Sequence, residues 1–198
     1  MLIMPLVQSS DETIVLAFVF LVWFLSETIG TGIIPALRRR RGNIRLKENR
    51  SNIAMRVLTY LSIVLAIALA LMGIAVLPDV FFYPGAALVL IGIVIRQWSV
   101  LVLGGFFTTT ITVQKNQRVV DSGPYRYVRH PAYLGMFLSL IGLGFSLLSW
   151  AAVLEILVVF GVAVGYRIRI EEKVLLAEFG EEYIQYMKRT KRLIPFIF

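Results

Sequence analysis

The stretch PAYLGMFLSLIGLGFSLLSWAAVLEILVVFGVAVGY, residues 131–166, carries a single charged side chain, Glu155, in 36 positions. It is too long for one crossing of a membrane core, which takes about 20 apolar residues. Ser149 falls at its middle, directly between Leu148 and Trp150. The reading is two helices, 131–148 and 150–166, joined by almost no loop and packed as an antiparallel hairpin. That hairpin sets the fold class, an all-α integral membrane protein.

The rest of the chain agrees. It has 198 residues, 58% of them hydrophobic and 16% charged, with a mean hydropathy of +0.80. Soluble domains average roughly 45–50% apolar and about 25% charged residues. Three further apolar runs, 13–37, 53–77 and 84–103, bring the expected spans to five, the fourth being the shortest. Pro78-Asp79 closes the second run, and Pro84 falls in the first turn of the third, where a missing N–H is tolerated. The opening residues 1–11 have no basic end and do not read as a signal peptide. With no cysteine and one histidine, the chain offers no disulfide, no thiolate and no cage for a metal ion.

Charge then orients the spans. Residues 38–50 hold seven basic side chains. Lys115, Arg118, Arg126 and Arg129 lie between spans three and four, and seven more run from Arg167 to Arg192. If five helices alternate, all of these fall on one side, opposite Asp11, Glu12 and Asp79. The positive-inside rule puts the N-terminus outside and the C-terminus in the cytoplasm. The net charge of +8 is accordingly read as topology and contact with anionic membrane lipids, not as nucleic-acid binding. Val174, Leu175, Phe179, Tyr183, Tyr186 and Met187 recur at helical spacing, with Gly180 interrupting. They predict a cytoplasmic C-terminal amphipathic helix that lies on the membrane or folds over a site. The chain divides at about residue 90. Residues 1–90 form a two-span region with the basic loop, and 91–198 form the region with the chemistry.

The polar motifs collect at the cytoplasmic boundary. Just before span four stands GPYRYVRHPAYLG, residues 123–135, with three tyrosines, two prolines and the lone His130. Arg96 lies about 10 Å inside span three, deep enough to require a partner, a polar cavity or snorkelling. Arg167 and Glu171, four apart, share one helix face, and Glu172 sits about 100° further round. Glu27 and Glu155 stand alone in spans one and five and are read as helix-packing or interfacial groups. No GxGxxG or Walker loop is present, so no Rossmann unit holds a cofactor.

The segment 123–135, followed by Arg167, Glu171-Glu172, Phe179-Gly180, Tyr183, Tyr186 and Pro195, resembles the isoprenylcysteine carboxyl methyltransferase family. The likeness extends upstream through Arg96-Gln97-Trp98 and Gln117-Arg118-Val119-Val120, and covers roughly 90–198. The short RHPxYxG core alone is shared more widely, with phospholipid N-methyltransferases and membrane sterol reductases.

The resemblance implies an S-adenosylmethionine-dependent carboxyl O-methyltransferase whose site opens to the cytoplasm. It places Gln117, Arg118, Val119, Val120, Tyr125, His130, Pro131, Ala132 and Tyr133 around the cofactor, with Glu171, or its neighbour Glu172, as the acid that meets it. Arg167 is implied to hold the substrate carboxylate, and Arg96 and Glu171 join it as catalytic candidates. The implied substrate is a prenylated cysteine or a similar lipid-tailed carboxylate. A small prokaryotic member of this kind would sit in the plasma membrane. Tyrosine faces suit a sulfonium, and an already ionised carboxylate needs no general base. The alternative, a phospholipid (phosphatidylethanolamine) N-methyltransferase, requires a base to deprotonate its ammonium. A sterol reductase and a non-catalytic scaffold complete the alternatives.

Overall fold

A computed structural model describes residues 9–33, 44–48, 50–114 and 117–194, with the backbone alone at 44–48, 50 and 112–114. Residues 34–43 of the basic run and the first expected span, Lys115 and Pro195 lie outside the described residues. Helix α1, Ser10–Leu25, starts at Ser9, whose Oγ accepts from the Glu12 N–H at 3.2 Å. Asp11 and Glu12 in its first turn suit the positive end of the helix dipole. It widens into a π-helix over Ser26–Ile33. Helix α2 is Arg50–Leu71, α3 is Phe82–Leu103, α4 is Pro131–Ser146, α5 is Trp150–Phe179 and α6 is Glu181–Arg189. Strands β1, Ile44–Glu48, and β2, Ile111–Gln114, pair antiparallel in a short ribbon outside the helices.

The chain is a helical membrane protein. Among the described residues, four helical stretches are long and apolar enough to cross a membrane, and α4 is a shorter apolar helix of 16 residues, roughly 24 Å long. Three boundaries differ from the sequence reading. The second helix stops at Leu71 rather than Leu77, because Gly73 and Ala75 adopt positive φ, and Leu77 N–H instead donates to Leu148 O at 2.7 Å. The fourth ends at Ser146, and Leu148 turns the chain with a φ of 52°. The fifth continues past Tyr166 to Phe179, a 30-residue helix roughly 45 Å long. Its continuation is possible because Arg167 and Glu172 are buried against partners rather than solvated. The helix stops at Gly180, whose φ of 52° a side chain would resist, and α6 departs in a new direction. The expected amphipathic helix is thus the tail of α5 plus the separate nine-residue α6, whose Tyr183 and Tyr186 are buried.

The closest packing is between α3 and α4. Gly85 and Gly92 of α3 face Gly142 and Gly135 of α4, a seven-residue spacing on both helices. A Cβ on Gly142 would stand 2.7 Å from both Gly85 O and Val89 N, so the two backbones touch. Ser139 Oγ donates across the seam to Val89 O at 3.1 Å. Small residues that let backbones approach replace the hydrophobic driving force that lipid does not supply. Around this pair, α5 packs on α2 and α4, with Ala152, Ile156 and Phe160 fully buried.

Gly142→Ala is expected to destabilise the protein by about 1–3 kcal/mol, the range for forcing extra atoms into a packed interface. Gly165→Ala in α5, where an added Cβ meets nothing within 4 Å, is expected to be neutral or slightly stabilising. Thermal unfolding of the two variants in one detergent checks the contrast.

Candidate active site

A cavity of about 450 Å³ opens among α1, α2, the loop after α3, and α4 to α6. That volume falls in the range of small-ligand sites, roughly 300–1,000 Å³. Both sequence regions, 1–90 and 91–198, contribute to its wall.

Its most elaborate side is built on α5. Arg167 is 3% exposed, and each of its guanidinium nitrogens has a partner on a different element. Nε donates to Tyr133 Oη at 3.1 Å, Nη2 donates to Thr109 O at 2.9 Å, and Nη1 donates to Ser51 Oγ. Tyr133 Oη in turn donates to Glu171 Oε2 at 2.7 Å. The α4 phenol therefore links the two α5 residues that the i, i+4 spacing put on one face. The guanidinium is fixed in place before any ligand arrives.

A second fixed cation lies on α3. Arg96 meets Glu27 of the π-helix through both carboxylate oxygens, Nε to Oε1 and Nη2 to Oε2 at 2.7 Å. Its Nη1 donates to Ala132 O at 2.9 Å, in the first turn of α4. Gln97 Nε2 adds a bond to Ser26 O at 3.0 Å. Arg96 therefore does not snorkel; it ties α1, α3 and α4 together beside the cavity. π-Helical turns inside α-helices occur often at functional sites, and here the wider turn carries Glu27.

Glu172 serves a different place. It lies about 100° round the helix from Glu171 and accepts from Arg129 Nε at 2.8 Å and Arg192 Nε at 3.0 Å. His130 Nε2 lies 3.4 Å from the same carboxylate. Arg129 also donates to Thr190 O through Nη1, and Lys191 N–H donates to Tyr127 O at 3.1 Å. This knot fastens the end of α6 against the segment before α4. Tyr186 Oη adds a bond to Tyr125 O at 2.8 Å. As a result α6 lies across the cavity, with Tyr183 and Tyr186 on its wall. Burial pushes the phenols of Tyr125, Tyr183 and Tyr186 well above their usual range, so all three stay protonated.

Most of the residues singled out in the sequence converge. Arg96, Gln117, Arg118, Val119, Val120, Tyr125, His130, Ala132, Tyr133, Arg167 and Glu171 all line the cavity. Pro131 and Glu172 do not. Pro131 is buried at the first turn of α4, and Glu172 sits in the knot just described. Glu27, read as a helix-packing or interfacial group, does join two helices, but its pairing with Arg96 on the cavity wall was not foreseen, nor were Ser51, Thr109 and the tie made by Arg129. A signal for Glu27 was present, since one acid and one base buried at the inner ends of different spans usually pair. Glu155, read as a packing group, accepts from Ser62 Oγ of α2 at 3.0 Å.

Fold and site together define a polytopic membrane protein with a ligand-sized cavity whose wall includes the fixed arginines Arg96 and Arg167 and the acids Glu27 and Glu171. Residues 85–177 match the family model for the isoprenylcysteine carboxyl methyltransferase (ICMT) family. The chain is 24% identical over 145 residues to protein-S-isoprenylcysteine O-methyltransferase B of Arabidopsis thaliana, a match covering 67% of this chain and 74% of that protein. It is 34% identical over 115 residues to protein-S-isoprenylcysteine O-methyltransferase of Saccharomyces cerevisiae, covering 57% of this chain and 48% of the yeast protein. The fold is similar to the solved structure of a eukaryotic intramembrane Ras methyltransferase, ICMT, with a TM-score of 0.52 and 23% identity, over 96% of this chain and 54% of that one.

The Arg96–Glu27 pair predicts a stability contrast. Glu27→Gln leaves a buried guanidinium without its counter-charge and is expected to cost about 3–5 kcal/mol. Asp121→Asn removes a partner of Arg189 at an exposed pair and is expected to cost at most about 0.5 kcal/mol. Denaturation midpoints of the two variants check it.

Proposed function

We propose that the chain transfers a methyl group to the C-terminal carboxylate of a prenylated cysteine or a similar lipid-tailed carboxylate. The observation that carries this reading is Arg167, a buried guanidinium on the cavity wall held by three separate partners. A guanidinium stays protonated and presents paired N–H donors that match a carboxylate. It can orient such an acceptor and cannot take a proton from it. A carboxylate is ionised near neutral pH, so the reaction asks for alignment and desolvation rather than for a base.

The donor implied by the family is S-adenosylmethionine, which when bound supplies a methyl group on a sulfonium sulfur and leaves as S-adenosylhomocysteine. The residues fit such a ligand. Tyr125 and Tyr133 offer aromatic faces to a cation. Glu171 offers a carboxylate to an ammonium, and it is already oriented by the Tyr133 hydroxyl. Tyr183 Oη is buried and has no hydrogen-bond partner among the described residues, as expected of a group that awaits a polar ligand. Gln117 to Val120, His130 and Ala132 complete that part of the wall, while Arg96 and Glu27 hold the start of α4 in place. The concentration of basic residues around the site supports a cytoplasmic opening. The apolar helices support a substrate that arrives through the membrane.

Two observations weigh against phosphatidylethanolamine as acceptor. The relatives named above are S-isoprenylcysteine O-methyltransferases. His130, the one imidazole available as a base, has its Nε2 turned to Glu172.

With labelled donor and protein in detergent or lipid, methyl ester is expected on farnesylcysteine and no methyl on phosphatidylethanolamine; the reverse pattern would replace this reading with the N-methyltransferase. Arg167→Lys keeps the charge but loses the fork. It is expected to lower ester formation by about 10- to 100-fold, the weight of charged hydrogen bonds. Its affinity for S-adenosylhomocysteine should stay within about 3-fold by calorimetry, since the same bonds are not asked of the cofactor.

A further inference from the structure

Three buried side-chain atoms lack a hydrogen-bond partner among the described residues: Trp23 Nε1, Glu155 Oε1 and Tyr183 Oη. Buried polar groups are paired in all but a few cases, so each asks for a reason. Tyr183 lies on the cavity wall and is 2% exposed. Its helix is held firmly. Gly180 turns α6 away from α5, Tyr186 Oη bonds to Tyr125 O, and Arg129 bonds to the carbonyls of Met187 and Thr190. The fold thus holds an unpaired phenol on the cavity wall, although an unmade buried bond is costly.

The geometry points to Tyr183 as a ligand-binding residue whose hydroxyl donates to the carboxylate at the amino-acid end of S-adenosylmethionine. This rests on the methyltransferase reading above. The hydroxyl acts as donor because burial, with the nearby charges of Glu172 and Glu171, keeps it protonated. An α-amino acid carries its ammonium and its carboxylate on one carbon. If Glu171 takes the ammonium, the carboxylate falls beside it, where a second acid would repel it and a neutral O–H would not. Tyr183 and Tyr125 are cavity-lining phenols near Glu171 whose hydroxyls make no internal hydrogen bond among the described residues; of the two, the Tyr183 hydroxyl is the one sealed from solvent, where an unmade bond costs most. Tyr133 and Tyr186, by contrast, already donate to Glu171 and to Tyr125 O.

The test is calorimetry of S-adenosylhomocysteine binding to the whole protein and to Tyr183→Phe. The variant keeps the ring and removes an atom that makes no internal bond, so without ligand its unfolding temperature should equal or exceed that of the parent. A roughly 10-fold weaker Kd is expected. The analogue lacking the carboxylate, 5′-deoxy-5′-(3-aminopropylthio)adenosine, should bind both proteins equally. Equal affinity for S-adenosylhomocysteine would overturn the assignment. A 10-fold loss with the analogue as well would move the contact away from the carboxylate and overturn it too. If the parent protein does not bind S-adenosylhomocysteine at all, the methyltransferase reading fails with it. Normal parent binding and unchanged variant binding sink only the role of Tyr183.

Discussion

Gly92 and Gly135 bring the backbones of α3 and α4 so close that a Cβ on Gly135 would stand 2.6 Å from the Gly92 carbonyl oxygen. The same Cβ would stand 2.7 Å from Arg96 N. This approach decides where the polar residues can reach. Arg96 follows Gly92 by one helical turn, and with the backbones in contact its guanidinium reaches both Ala132 O and the Glu27 carboxylate. Were the helices at the 8–10 Å spacing that larger side chains impose, Arg96 could not serve the two at once. Ala132 and Tyr133 occupy the first turn of α4, so their positions depend on the seam. The position of Tyr133 then fixes Glu171 and Arg167 on α5.

The site is therefore a chain of buried charges, each neutralised or hydrogen-bonded by a residue from another element. Glu27 comes from α1, Ser51 from α2, Arg96 from α3, Tyr133 from α4 and Arg167 from α5. In a low-dielectric setting an ionised group without partners is prohibitively costly, so these contacts must form together. They also preorganise the cavity. An arginine already held by Tyr133, Ser51 and Thr109 loses little side-chain freedom when a carboxylate binds.

Much of this was legible in the sequence because lipid simplifies the code. Twenty apolar residues can be little other than a helix, and the pairing of α4 with α5 followed from a one-residue connection at Ser149. The convergence of the segment 123–135 with Arg167 and Glu171 followed from placing both at one boundary. The misplaced helix ends share one cause. Helix ends were set by where hydropathy fell, yet α5 runs on to Phe179 because its charged residues find internal partners. The pairing of Glu27 with Arg96 depends on a helix–helix distance set by glycines between other spans, which no local pattern reports.

The adjacent acids show how one residue step divides two tasks. Glu171 faces the cavity with a single described hydrogen bond, from Tyr133, leaving carboxylate capacity for a ligand. Glu172, turned by about 100°, takes Arg129, Arg192 and the His130 side and closes α6 over that same cavity. Exchanging the two roles would require a rotation of α5, and Arg167 forbids it. Its guanidinium lies on the same face as Glu171 and is bound to three other elements. The acid on the cavity wall and the acid that ties α6 to the start of α4 are thus assigned by the register of a single helix, and Arg167 sets that register.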